Sequence, residues 1–172
     1  MEYTLRTGDG AWKGEHNRLP VMLVLDNLRS AYNVGNLFRV AEATCASGIC
    51  ACGYTAFPPH VKLEKTARGC DALVPCWHYD TAVEAILALK KSGHCIYGVE
   101  TVENAPMYWE AEYNFPAAFV LGNEALGISA DALALCDAYV SLPAFGVKNS
   151  INVGNCGSVI LFDCVRRFAS EK

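Results

Sequence analysis

The stretch Val21-Met22-Leu23-Val24-Leu25-Asp26-Asn27-Leu28-Arg29-Ser30-Ala31-Tyr32-Asn33-Val34-Gly35-Asn36-Leu37-Phe38-Arg39 decides the fold class. An apolar run without alternation, Val21 to Leu25, fits a strand buried on both faces, the usual state of a strand in a parallel sheet covered by helices. Asp26 opens a polar loop. From Asn33 to Cys45 the apolar positions Val34, Leu37, Phe38 and Ala41 recur at helical spacing, with Asn33 placed as the cap. Strand, polar loop and helix together form the repeating unit of an α/β protein.

The same alternation extends along the chain. Gly48 to Gly53 reads as a second strand, and Val61 to Cys70 as a short helix and loop. Leu73 to Trp77 reads as a third strand, short or at an edge because Pro75 cannot donate to a ladder. Thr81-Ala82-Val83-Glu84 is a capping box, in which hydroxyl and carboxylate each meet an orphan amide. The helix it opens carries Val83, Ile86, Leu87 and Lys90 on one face and stops at Gly93. Cys95 to Val99, Ala117 to Leu121 and Ala138 to Leu142 read as strands, and Asn152 to Phe168 as a long final helix. The pattern predicts an α/β fold, a parallel sheet covered by helices on both faces. Its ligands should bind in the loops after Leu25, Val99, Leu121 and Leu142.

Composition narrows the function classes. A chain of 172 residues, 52% hydrophobic and 19% charged, fits one domain (1–172, with 1–19 an irregular lead-in and 20–168 the core) and excludes a disordered class. No apolar run is long enough for a membrane span, and the first twenty residues carry no signal-peptide core, so a cytoplasmic protein is expected. Nine cysteines at irregular spacing form neither a disulfide framework nor paired zinc ligands, and no metal is expected. The net charge of −4 requires any nucleic-acid contact to come from local patches. Candidates are Arg6, Lys13, Arg18 and Arg29, then Lys62, Lys65, Arg68 and Lys148, each equally readable as solvated surface. A P-loop, a nucleophile elbow and a strand leading into GxGxxG are all missing, which counts against a nucleotide hydrolase, a serine hydrolase and a dinucleotide oxidoreductase.

Three polar clusters stand at or beyond strand ends. They are Asn33-Val34-Gly35-Asn36-Leu37-Phe38-Arg39, Leu121-Gly122-Asn123-Glu124-Ala125-Leu126-Gly127-Ile128, and Leu142-Pro143-Ala144-Phe145-Gly146-Val147-Lys148-Asn149-Ser150-Ile151-Asn152-Val153. Each alone is readable as a capped strand-to-helix turn, with Ser129, Ser150 or Asn152 as caps, or as a place where backbone approaches a ligand. Beyond the third cluster, Gly154-Asn155-Cys156 either loosens the start of the last helix or admits a closer helix contact.

In this order and spacing the clusters resemble the three motifs of the SpoU (TrmH-like) RNA 2′-O-ribose methyltransferases of the SPOUT superfamily, over about residues 20 to 168. The resemblance implies a Rossmann-like α/β domain, a mostly parallel sheet with helices on both faces and a C-terminal trefoil knot, with S-adenosylmethionine as cofactor and a homodimer with its site near the interface. It implies an RNA substrate, tRNA or rRNA with tRNA favoured. The alternative class is a non-catalytic RNA-binding or assembly factor that keeps the fold. Carried over by motif position, Glu100, Thr101, Leu121, Gly122, Asn123, Gly127, Leu142, Pro143, Ser150 and Ile151 surround the cofactor. Arg39, Asn33, Ser150, Asn152 and Glu124 form the polar site, and Arg29, Arg39, Lys62, Lys65 and Lys148 meet RNA. An arginine stays protonated at neutral pH, so Arg39 is assigned to gripping a phosphate, and Glu124 to holding loop amides.

Overall fold

The computed structural model describes residues 18–170, with side chains to Phe168. Arg6, Lys13 and most of the expected lead-in lie outside the described residues. In chain order the elements are β1 (Leu19–Asp26), α1 (Ala31–Ala43), β2 (Ala46–Cys52), α2 (Val61–Ala67), β3 (Cys76–Tyr79) and α3 (Ala82–Lys91). They continue with β4 (Cys95–Val99), β5 (Ala117–Leu121), α4 (Ala130–Leu133), β6 (Ala138–Val140) and α5 (Val153–Ser170). The strands form one six-stranded sheet in the order β3-β2-β1-β5-β4-β6, and every pairing is parallel.

The unalternating run in β1 divides between two cores as the pleat requires. Val21, Leu23 and Leu25 pack on one face with Leu37, Phe38, Ile160 and Leu161 from α1 and α5. Met22 and Val24 pack on the other with Ala85, Ile86 and Leu89 of α3. Helix α5 approaches α1 closely because α5 carries glycine at the contact. A Cβ on Gly157 would lie 2.2 Å from Leu37 Cδ2, and one on Gly154 would lie 2.8 Å from Asn36 Nδ2. The glycine-bearing start of α5 therefore serves a close helix contact.

Four local expectations differ from the structure. Helix α1 begins at Ala31 and is capped by Ser30, whose Oγ accepts from the Asn33 amide at 3.3 Å; Asn33 is not the cap. The third strand starts at Cys76 rather than Leu73, because residues 70–72 close a 3-10 turn and Leu73 is exposed. Pro75 contributes only its carbonyl, to the Ile49 amide at 2.9 Å, and β3 occupies the sheet edge as the proline required. The buried face of α3 is Ala82, Ala85, Ile86 and Leu89, whereas Leu87 points to solvent. Ser129 begins α4 without a side-chain cap. Thr81 does cap α3, accepting from the Glu84 amide at 3.2 Å.

The cysteines behave as small hydrophobes. Burial pushes the Cys50 and Cys164 thiols up to about 12, so both stay protonated at neutral pH. Among the described residues no cluster of potential metal ligands is found, and no helix is long and apolar enough to cross a membrane.

Candidate active site

In an open parallel sheet, neighbouring strands whose connections leave in opposite directions open a crevice at their carboxyl ends. Here that point lies between β1 and β5. The loop after β1 and the loop after β5 meet there through Glu124. Its Oε2 accepts from the Arg29 amide at 2.9 Å, and its Oε1 accepts from the Ser30 amide at 3.1 Å and from Asn33 Nδ2 at 2.8 Å. The third loop joins through Asn33, whose Oδ1 accepts from Asn152 Nδ2 at 3.0 Å. Asn152 Oδ1 in turn accepts the Gly154 amide at 2.9 Å and so caps α5. One chain of side-chain hydrogen bonds thus ties together clusters separated by up to 119 residues.

This network sets the ionisation of Glu124. Burial works to raise its pKa, but the amides of Arg29, Asn33 and Ser30 stabilise the charged form and hold it below the ordinary carboxylate range. The loop that carries it is tight. Asn123 and Gly127 exchange two backbone hydrogen bonds of 2.9 Å, and Asn123 Oδ1 accepts the Ala125 amide at 2.9 Å. Asn123 Nδ2 donates to Asn27 O and to Tyr54 Oη, both at 2.7 Å. Gly122 is required here, since a Cβ would lie 2.2 Å from the backbone of Gly127 and Ile128.

Two adjoining cavities open on the network. The larger, about 650 Å³, lies beyond the ends of β4 and β5, between the loops at 99–101, 121–127 and 142–153. Its volume is within the range of cavities that hold a small molecule. The predicted residues Glu100, Thr101, Leu121, Gly122, Asn123, Gly127, Leu142, Ser150 and Ile151 line it. The smaller, more open cavity is lined by Arg29, Ser30, Asn33, Glu124 and Asn152. Glu124 and Asn152 stand in both walls.

Several expectations are refined by this geometry. Pro143 is not among the cavity's lining residues, while Val99, Asn149 and Cys156 are. Glu100 holds structure rather than presenting a free charge: Oε1 accepts the Thr101 amide at 2.9 Å and Oε2 the Ile128 amide at 3.2 Å. Glu124 clasps the first cluster directly and reaches the third only through Asn33. Arg39 is exposed on α1 and lines neither cavity, and Lys62, Lys65 and Lys148 also lie outside the two linings. Missed in the sequence were Asp26 and Tyr54. Asp26, buried at the end of β1, accepts the Ser129 amide at 2.7 Å and so anchors the start of α4. A carboxylate closing an apolar strand was its available signal; Tyr54 had none.

A six-stranded parallel α/β domain with adjoining cavities at the carboxyl ends of its strands is a ligand-binding or catalytic fold of the doubly wound class. Residues 20–162 match the model of the SpoU rRNA Methylase family, and the chain belongs to that family. It is 27% identical over 151 residues to a Staphylococcus saprophyticus protein assigned to the TrmH family of tRNA/rRNA methyltransferases, covering 88% of this chain and 60% of that one. Among solved structures it is similar to the SpoU methyltransferase AviRb from Streptomyces viridochromogenes in complex with the cofactor AdoMet (TM-score 0.78, 25% identity, 87% of this chain and 58% of that one). The fold is also shared with the A. aeolicus TrmH/SpoU tRNA modifying enzyme (TM-score 0.80, 22% identity, 90% and 78% covered). The chain spans about three fifths of the length of the first two.

Proposed function

We propose that this chain is an S-adenosylmethionine-dependent RNA 2′-O-ribose methyltransferase acting on tRNA or rRNA. The observation that carries the reading is the Glu124–Asn33–Asn152 network, which joins all three motif clusters where the two cavities adjoin. The larger cavity fits S-adenosylmethionine by size and lining: Val99, Leu121, Leu142 and Val153 give apolar walls, while Asn149 and Ser150 are polar. When bound, the cofactor would supply an electrophilic methyl group, and Arg29, Ser30, Asn33, Glu124 and Asn152 of the second cavity would receive the ribose.

Transfer from a sulfonium to a hydroxyl has a good leaving group, so alignment is the protein's main contribution. Asn33 and Asn152 orient the ribose from the lining of the smaller cavity, with Ser150 in the wall of the larger one. Glu124, with its lowered pKa, is a poor general base and a good anchor. It holds the Arg29–Ser30 loop so that the two cavities keep their spacing.

Arg39 grips a phosphate of the bound RNA in this reading. Its position outside both cavities of its own chain favours a homodimer in which Arg39 of one copy completes the site of the other. The exposed side of α1 carries Tyr32 and Arg39, and α5 beside it exposes Phe162. The trefoil knot fits the path after β6. That strand ends beside β4 at the sheet edge, yet the chain returns to Asn152 next to Asn33 before α5 packs on α1 and β1. We place the chain in the cytoplasm, a compartment that holds tRNA and rRNA.

The test is methyl transfer from isotopically labelled S-adenosylmethionine to total RNA from cells lacking the gene, followed by nucleoside mass spectrometry. Label on a 2′-oxygen is expected. Label only on bases, or none while the cofactor binds, would overturn the proposal.

A further inference from the structure

An aromatic shelf lies beside the site and is used by none of the chemistry above. It is built on the segment that leaves β2 and on β3, at their carboxyl ends, on the same side of the sheet as the cavities. Phe57 and His78 stack with ring centroids 4.1 Å apart and planes 24° from parallel. His78 is held in place by Nε2 against Gly53 O at 2.9 Å. Tyr54, 61% exposed, stands between this pair and the active-site loop, its hydroxyl accepting from Asn123 Nδ2. The same segment supports the loop carrying Arg29, because the Leu28 amide donates to Thr55 Oγ1 at 2.9 Å.

Exposed aromatic surfaces, Tyr54 hydrogen-bonded to the cavity-lining Asn123 and Phe57 stacked on His78, suit the faces of unpaired bases, which stack on aromatic side chains without regard to sequence. The charge around them fits a nucleic-acid strand. Lys62 and Lys65 are exposed on α2 just downstream, Arg68 follows, and Glu64 is the sole acidic residue from Gly53 to Arg68 in a chain that is acidic as a whole.

We propose that the Tyr54, Phe57 and His78 shelf stacks bases of single-stranded RNA flanking the nucleotide in the smaller cavity, with Lys62 and Lys65 meeting the adjoining phosphates. This rests on the RNA methyltransferase reading. It requires the substrate to be an unpaired loop or end, since bases within a duplex cannot reach the shelf.

The test measures fluorescence anisotropy of a labelled twelve-nucleotide oligouridylate with the full chain and its variants. Phe57→Ala is expected to weaken binding on the order of tenfold without changing its salt dependence, and Phe57→Trp to retain affinity. Lys62→Ala with Lys65→Ala should weaken binding and flatten the salt dependence. An abasic ribose-phosphate oligomer should bind Phe57→Ala and the unaltered chain alike. If Phe57→Ala melts early, His78→Gln with Phe57→Trp carries the comparison, and Gln should still weaken binding.

Equal affinity of unaltered and shelf variants, or no binding by the unaltered chain, overturns the shelf. A shift of Phe57→Ala toward monomer in sedimentation, at unchanged RNA affinity, assigns the surface to a second copy and equally overturns it. Methyl transfer to total RNA is followed in parallel. Transfer by the unaltered chain with an indifferent shelf sinks this inference alone. Shelf-dependent binding without any transfer sinks the methyltransferase reading alone.

Discussion

Asn33→Asp exchanges one NH2 group for oxygen at the centre of the network, with little change in shape. Asn33 is 7% exposed, and its Nδ2 lies 2.8 Å from Glu124 Oε1. The substitution removes a hydrogen bond to a charged acceptor, worth about 1.5–3 kcal/mol where fully buried. It also sets two carboxylates against each other. At about 3 Å their repulsion is roughly 5 kcal/mol for an effective dielectric constant near 20. Protonating one of them limits that cost, since doing so at pH 7 takes about 4 kcal/mol for a carboxyl of ordinary pKa. Glu124 is itself solvent-exposed, so screening reduces both contributions.

The expected destabilisation from Asn33→Asp is therefore about 2–4 kcal/mol at pH 7.5, a fall in Tm of about 5–15 °C for a domain of this size. The carboxylate pair would share a proton, its folded pKa raised above the unfolded value. Stability should accordingly be closest to that of the unaltered chain near pH 4–5 and decline as pH rises toward neutrality. Urea unfolding at both pH values, with Asn33→Ala as the uncharged comparison, measures this. If Asn33→Asp costs no more than Asn33→Ala at pH 7.5 and shows no pH dependence, the contact with Glu124 is not formed in solution.

Glu124 in the unaltered chain titrates below its unfolded value, so its contribution is present above pH 4–5 and is lost as pH falls through the folded pKa. Glu124→Gln should flatten this acid limb of the stability curve; an unchanged limb would assign it to other carboxylates. Gly122→Ala pushes a Cβ into the Gly127–Ile128 backbone and should weaken S-adenosylmethionine binding at least tenfold in calorimetry, whereas wild-type affinity would show that the loop relaxes freely. Gly157→Ala should cost about 1–3 kcal/mol in denaturant unfolding by overpacking against Leu37. Mixing inactive Arg39→Ala with inactive Gly122→Ala chains should restore methyl transfer if Arg39 acts across a dimer. Heterodimers captured by two affinity tags yet lacking activity would place Arg39 in its own chain's site.

Much of this molecule is legible in its sequence. The unalternating Val21–Leu25 run fixes a strand covered on both faces, because a strand with one wet face would place polar residues at every second position. The Thr81 cap is equally local, since donor and acceptor sit three residues apart on a first turn. The residues that motif order assigns to the cofactor, Pro143 excepted, line the larger cavity, which Val99, Asn149 and Cys156 line as well. Local reasoning failed where two residues competed for one role. Ser30 and Asn33 are both good caps by residue type, and Asn33 directly precedes the first apolar position of the helix, Val34. Asn33 is claimed instead by a carboxylate 91 residues away.

What the sequence determined by itself is periodicity, capping chemistry and the polarity of strand ends, because those depend on neighbours within a turn or a pleat. The tertiary structure alone decided that Glu124 faces the first cluster, that Asn152 reaches Asn33, and that Arg39 stands outside the linings of both cavities. Those pairings depend on which strands lie side by side and on how closely glycine lets α5 approach α1, and neither is encoded within the span of any single element.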